Sequence, residues 1–273
     1  MGPEVAKRYG VIEQTASTTD IEYACESIRH LGYGVVDGGY SPPWVDALSE
    51  AFERVQQRYY DDHGGREALK RIDEHNTIRL PLCYDPMFLE LATNVKILEI
   101  CRKLIPGYAI LNQQNGVTNP PRAERYNQAA WHRDLPYQHF VSSRPLAINA
   151  LFCLDPFTIE NGATKLLPAS HNREAFPSDR FVEAEAIAVS APAGSFIILD
   201  CMTFHSGGIN RSDRARRAIN HVYSIPLLRQ QLDLPSVLGE TFVTDKEFRK
   251  LLGYDVRTPR SITEYLTGRT SKA

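Results

Sequence analysis

Cysteine is scarce and carries no pairing pattern. The 273-residue chain has five, Cys25, Cys83, Cys101, Cys153 and Cys201, widely spread and without a C-x-x-C. That spacing supports neither a disulfide framework nor a zinc ribbon. Reduced, mostly buried thiols in a cytoplasmic protein are the expectation. No apolar run approaches the ~18–20 residues of a membrane span. The opening MGPEVAKRYGVIEQ lacks the apolar stretch of a secretory signal, and Ala6 stands where a myristoylation motif needs Ser or Thr. Neither sign of charge dominates: 31 Lys and Arg face 33 Asp and Glu, a net charge of -2. Such a balance gives no global attraction to nucleic acid or to an anionic membrane. Internal repeats, low-complexity tracts and Gly-, Ser- or Pro-rich linkers are missing too. What remains is ordinary globular material, 42% hydrophobic and 23% charged, of a length that suits one large domain over 1–273.

Three regions differ in pattern. Residues 1–107 read as mainly helical. Ser41-Pro42-Pro43 resembles a helix start, and Trp44, Val45, Leu48, Phe52, Val55 and Tyr59 recur at three- and four-residue spacing as one apolar face. A second periodic run, Val95 to Leu104, follows Thr93 and Asn94, either of which suits a cap. Residues 33–37 suit a strand. In 108–226 the pattern becomes short and alternating, with strands expected near 108–117, 146–155, 163–168, 186–191, 195–200 and 217–226. Several short strands with few helices between them indicate an antiparallel sandwich or barrel rather than a Rossmann alternation. The tail, 227–273, is polar and helical in pattern, suited to packing on the barrel or to an oligomer contact.

One constellation carries chemistry. In Trp131-His132-Arg133-Asp134-Leu135, strand alternation would put His132 and Asp134 on one face, with Cα atoms roughly 6.5–7 Å apart, and Arg133 on the other. Alone, such a pair is equally a surface His and Asp bonded to each other. His205, in Phe204-His205-Ser206-Gly207-Gly208 after the apolar run 195–200, adds a second imidazole. Two His and one carboxylate can occupy one face of an ion and leave the opposite positions open, the arrangement suited to non-haem iron(II). Zinc accepts the same ligands. Arg216 begins an apolar run, and an inward guanidinium needs an anion to meet it. A dicarboxylate could bridge the metal and this fork. A solvated basic turn, Arg211 to Arg217, is the competing reading.

With WHRDLPY, LFCLDPFTIENGATKLLPASH and APAGSFIILDCMTFHSGGINRSDRARRAINHVYSIP in this order, followed by RQQ, the chain resembles the phytanoyl-CoA dioxygenase family of iron(II)- and 2-oxoglutarate-dependent oxygenases. The resemblance implies a double-stranded β-helix, a cupin-like jelly roll, flanked by helices. It implies that His132, Asp134 and His205 ligate iron and that Arg216 anchors the distal carboxylate of 2-oxoglutarate, with Arg217 the neighbour should the register slip. Ser206, Gln113, Asn115 and Asn149 become candidates for cosubstrate binding or for supporting the ligands. O2 is the implied second cosubstrate. Because Asp134 keeps its carboxylate, hydroxylation or a related C–H oxidation is favoured over halogenation. The other readings are a metal-binding jelly roll without turnover and a zinc hydrolase on a similar barrel.

For substrate, a small polar metabolite is expected, with no nucleic-acid or membrane partner and a monomer or homodimer as the working form. The polar segment 119–130 precedes the first ligand as a lid would. Arg79, Arg122 and Arg125 are candidates for a substrate anion, Tyr137 and Gln138 for the pocket mouth, and Asn220, sharing a face with Arg216, for the interior. His221 should face away from the metal.

Overall fold

The computed structural model describes residues 8–122, 126–135 and 140–270. Along the chain run α1 (Asp20–Leu31), β1 (Tyr33–Asp37), α2 (Pro42–Asp62), α3 (Arg66–Arg71), β2 (Thr77–Arg79), α4 (Pro86–Ala92), α5 (Val95–Leu104), β3 (Ile110–Asn119), β4 (Ala147–Cys153), β5 (Lys165–Leu166), α6 (Asp179–Glu185), β6 (Ile187–Ala188), β7 (Ser195–Asp200), β8 (His205–Ser206), β9 (Arg216–Ser224), α7 (Leu234–Leu238), α8 (Lys246–Leu251) and α9 (Ile262–Thr270).

The helix starts follow local chemistry. Thr19 and Glu22 form a reciprocal capping box at α1. Asn94, rather than Thr93, caps α5: its side-chain oxygen accepts from the backbone of Lys96 and Ile97, and its amide donates to Gly38. Thr93 turns back to the Leu89 carbonyl. Ser41 occupies the cap position of α2 without a side-chain cap bond, so the two prolines in its first turn mark the start instead. The apolar stripe of α2 is buried at Leu48, Phe52, Val55 and Tyr59.

Six strands form an antiparallel sheet in the order β1-β7-β4-β9-β3-β2, and β6-β5-β8 form a second, smaller sheet. The region expected to be helical therefore supplies both edge strands of the large sheet. Strand β2, three residues long, is too short to show a period. The strands of the small sheet are also shorter than expected, two residues each, with isolated bridges at Phe157–Ala191 and Asn161–Asn210 continuing the pairing. Alternation along the long strands sorts side chains to two sides. One side packs on the helices through Phe152, Phe196, Ile198, Ile219 and Tyr223. The other faces the small sheet through Cys153, Ile197, Leu199 and Ala218. Gly116 in β3 permits close packing on the helix side, because a Cβ there would stand 2.8 Å from the Phe52 ring. In the tail, Leu234, Val243, Leu251, Leu252 and Tyr254 join the helix-side core, whereas α9 lies exposed. Among the described residues, no helix is long and apolar enough to cross a membrane. The five cysteines are unpaired, all but Cys83 buried.

Candidate metal and cosubstrate site

The ligand-bearing segments meet between the two sheets. His132 and His205 exchange both backbone hydrogen bonds, at 2.9 and 3.0 Å, and the Asp134 N–H donates to the Cys201 carbonyl at 3.0 Å. Only the His132 position pairs as a strand would. The chain leaves strand pairing in a bend at Asp134, and its carboxylate still converges with the His132 ring. Arg133 does point the opposite way, into a buried position.

Hydrogen bonds orient each donor. Nδ1 of His132 lies 2.8 Å from the Ala130 carbonyl, and Nδ1 of His205 lies 2.9 Å from the Thr203 carbonyl. A carbonyl only accepts, so each Nδ1 carries the proton and each Nε2 keeps its lone pair. Asn149 donates to Asp134 Oδ2 at 2.8 Å, which leaves Oδ1 on the imidazole side, 3.7 Å from His205 Nε2. Donor atoms of His132, Asp134 and His205 all lie within 4.8 Å of one another. Burial pushes the His205 pKa down, partly opposed by Asp134, which favours the neutral imidazole that a cation needs. Two nitrogen lone pairs and one carboxylate oxygen converging in this way fit a divalent metal.

Arg216 opens β9 and is 3% exposed. Its guanidinium stacks 3.8 Å over the Phe157 ring and stands beside the Tyr126 hydroxyl. No acid among the described residues forms an ion pair with it, and its buried Nε has no partner. Burial pulls its pKa down, with Tyr126 the largest opposing influence. A buried cation short of hydrogen-bond acceptors fits a carboxylate ligand. Arg217, one residue on, faces the helix side and is held by Asp155, at 2.8 and 3.0 Å, and by Glu53. Strand alternation therefore sends Arg216 to a buried position and Arg217 to an ion pair, while Arg211 and Arg214 stay exposed.

The cleft is lined by the three candidate ligands, Asn149, Ser206, Arg216 and Asn220. Gln113 stands behind, donating to Asn220 at 3.4 Å. Asn115 pairs across the strand with Asn220, buried, with its Oδ1 unpartnered. Arg79 is bound to Glu74 and reaches Gln231, and Arg122 is paired with Asp213 on the surface. Neither reaches a substrate anion without giving up an acid. Arg125, Tyr137 and Gln138 lie outside the described residues. His221 points away from the cleft and bonds to Gln114 and the Ala150 carbonyl. Sequence reasoning passed over Tyr126, Gln128, Leu151 and Thr164, which also line the cleft. The available signal was an aromatic in the polar segment before His132. Gly207 makes room for it, since a Cβ there would collide with the Tyr126 ring.

The model of the phytanoyl-CoA dioxygenase (PhyH) family matches residues 28–218. The chain belongs to the phytanoyl-CoA dioxygenase family. It is 31% identical over 255 residues to the uncharacterized protein Mb1539 of Mycobacterium bovis, covering 91% of this chain and 92% of that one. It is 33% identical over 94 residues to the iron/alpha-ketoglutarate-dependent dioxygenase penM of Penicillium thymicola, 32% of this chain and 30% of that one. Among solved structures, EctD from S. alaskensis, with 2-oxoglutarate and 5-hydroxyectoine, superposes with a TM-score of 0.61 over 89% of this chain and 86% of its own, at 18% identity. That likeness is one of fold, the double-stranded β-helix. As a member of this family the protein is a non-haem iron dioxygenase dependent on 2-oxoglutarate.

Proposed function

We propose that His132, Asp134 and His205 hold the iron(II), that Arg216 with Tyr126 holds the distal carboxylate of 2-oxoglutarate, and that the enzyme oxidises a C–H bond of a small polar metabolite, chiefly by hydroxylation. The observation that carries the assignment is the buried, acid-free Arg216 in the same cleft as three convergent donor atoms. The bound iron and 2-oxoglutarate supply the oxidising power from O2; the protein's part is to position and to exclude water. Asn149 fixes the Asp134 carboxylate, and the backbone pairing of His132 with His205 fixes the spacing of the two imidazoles. Polar Asn220, Thr164 and Gln128 at the cleft support a polar substrate. A hydrolase on the same three ligands leaves Arg216 without a task. The unpaired cysteines support a cytoplasmic setting, where the enzyme acts as a monomer or homodimer.

The test is release of succinate and CO2 from 2-oxoglutarate by iron-loaded protein, across a panel of small metabolites. Oxygen- and iron-dependent release, stimulated by at least one of them, is expected. Release unchanged by His132→Ala would overturn the assignment.

A further inference from the structure

Arg133 stands between two candidate ligands in sequence. It is 3% exposed. Its guanidinium lies 3.8 Å over the face of Phe204, the residue before His205. It donates to the carbonyls of Ser170 at 3.0 Å and Glu174 at 3.3 Å, and to that of Arg173. Ser170 in turn accepts the Phe204 N–H on its hydroxyl at 2.9 Å, and the Phe204 carbonyl accepts from Leu167. The segments 132–134 and 201–205 are thus zipped together by backbone bonds on one side, where the ligands project, and clamped by a caged cation on the other.

A buried guanidinium among carbonyl dipoles is costly unless its hydrogen bonds are fixed in place. Those carbonyls belong to a short stretch that has no other link to the His132–Asp134 segment in the hydrogen bonds described. Outer partners of metal ligands set ligand orientation and metal affinity.

We infer that Arg133 is a positioning residue for the metal centre: its caged guanidinium locks the 170–174 stretch and Phe204 against the ligand segment, so that the donor atoms converge before the metal arrives. The inference rests on the metal-site reading above. It commits Arg133 to orientation alone, with no contact to metal, cosubstrate or substrate.

The tail supplies a control. Arg249 donates to the carbonyls of Glu240 and Val243, pairs with the Glu240 carboxylate at 3.0 Å, and stacks 4.0 Å over Tyr254, partly exposed and among the tail helices. The experiment titrates apo-protein with cobalt(II), follows the visible absorption of the bound ion, and records the Tm of each apo variant. Arg133→Met is expected to weaken cobalt binding by about 10- to 100-fold. Arg133→Lys, which keeps the charge and loses the fork, should fall between. Arg249→Met should lower Tm and leave cobalt affinity at the wild-type value. Equal cobalt affinity in wild type and Arg133→Met overturns the inference, as does an equal loss in Arg249→Met. Should Arg133→Met fail to fold, wild-type affinity in Arg133→Lys overturns it. Wild-type protein that binds no cobalt, or binds it unaltered after His205→Ala, sinks the metal-site reading instead.

Discussion

On the helix-packed face of the large sheet, Gln114 and His221 commit every polar side-chain atom to protein. The Gln114 amide donates to Phe88 and to His221 Nε2, its oxygen accepts from Leu82, and His221 Nδ1 donates to Ala150. On the opposite face, turned to the small sheet, Asn115 Oδ1, Asn149 Oδ1 and Arg216 Nε are buried without partners. The two faces are built from the same strands, and their polar groups are comparably buried. A polar side chain fully satisfied by its own protein maintains a fold. One left short beside a cleft is an acceptor or donor kept for a ligand. Arg216 and Arg217 show the same contrast in adjacent residues, since alternation sends one to each face.

The comparison breaks most sharply at the ligands. His205→Ala should reduce succinate release to background while the helix-side core stays folded, as read by circular dichroism. Next comes the arginine pair. Arg216→Met should raise the KM for 2-oxoglutarate by about 30-fold or more, the cost of removing one partner of a buried charge pair. Arg217→Met should instead lower Tm by a few degrees and leave that KM unchanged; a reversal of the two outcomes would contradict the division of faces. Asn149→Ala, which frees the Asp134 carboxylate, should weaken metal binding by about 10-fold, measured by equilibrium dialysis. Tyr126→Phe should raise the KM for 2-oxoglutarate by about 2- to 10-fold, the value of one hydrogen bond.

A pH-dependent test sharpens the helix side. Burial pushes the His221 pKa down to about 4 from the ordinary 6.5. The unfolded chain therefore binds the proton first as pH falls, and stability drains away between about pH 6.5 and 4. Replacing His221 with Gln should flatten that part of a stability–pH curve from urea unfolding. An unchanged slope would place the titration elsewhere.

Much of the candidate site was legible because it rests on side-chain type and short spacing. His132, Asp134, His205 and Arg216 stood out as groups whose chemistry is expensive to bury without a ligand. The barrel was legible from the short alternating runs that became β3, β4, β7 and β9. The small sheet was not, because two-residue strands and single bridges carry no period. Asp134 was placed on a strand because alternation was the available rule, whereas the chain bends there and a tertiary bond from Asn149 holds the carboxylate. Arg79 and Arg122 looked like anion receptors until Glu74 and Asp213, at distances that sequence does not reveal, were found beside them. Tyr126 escaped notice because its role depends on Gly207, far along the chain, leaving room for the ring.

The most direct test is an anaerobic titration of iron(II)-loaded protein with 2-oxoglutarate, read by the weak visible charge-transfer band of the complex. The band should grow to saturation in wild-type protein, vanish in His132→Ala, and need far more 2-oxoglutarate in Arg216→Met. A band that is missing from wild type, or identical in all three proteins, would contradict the assignment of these side chains.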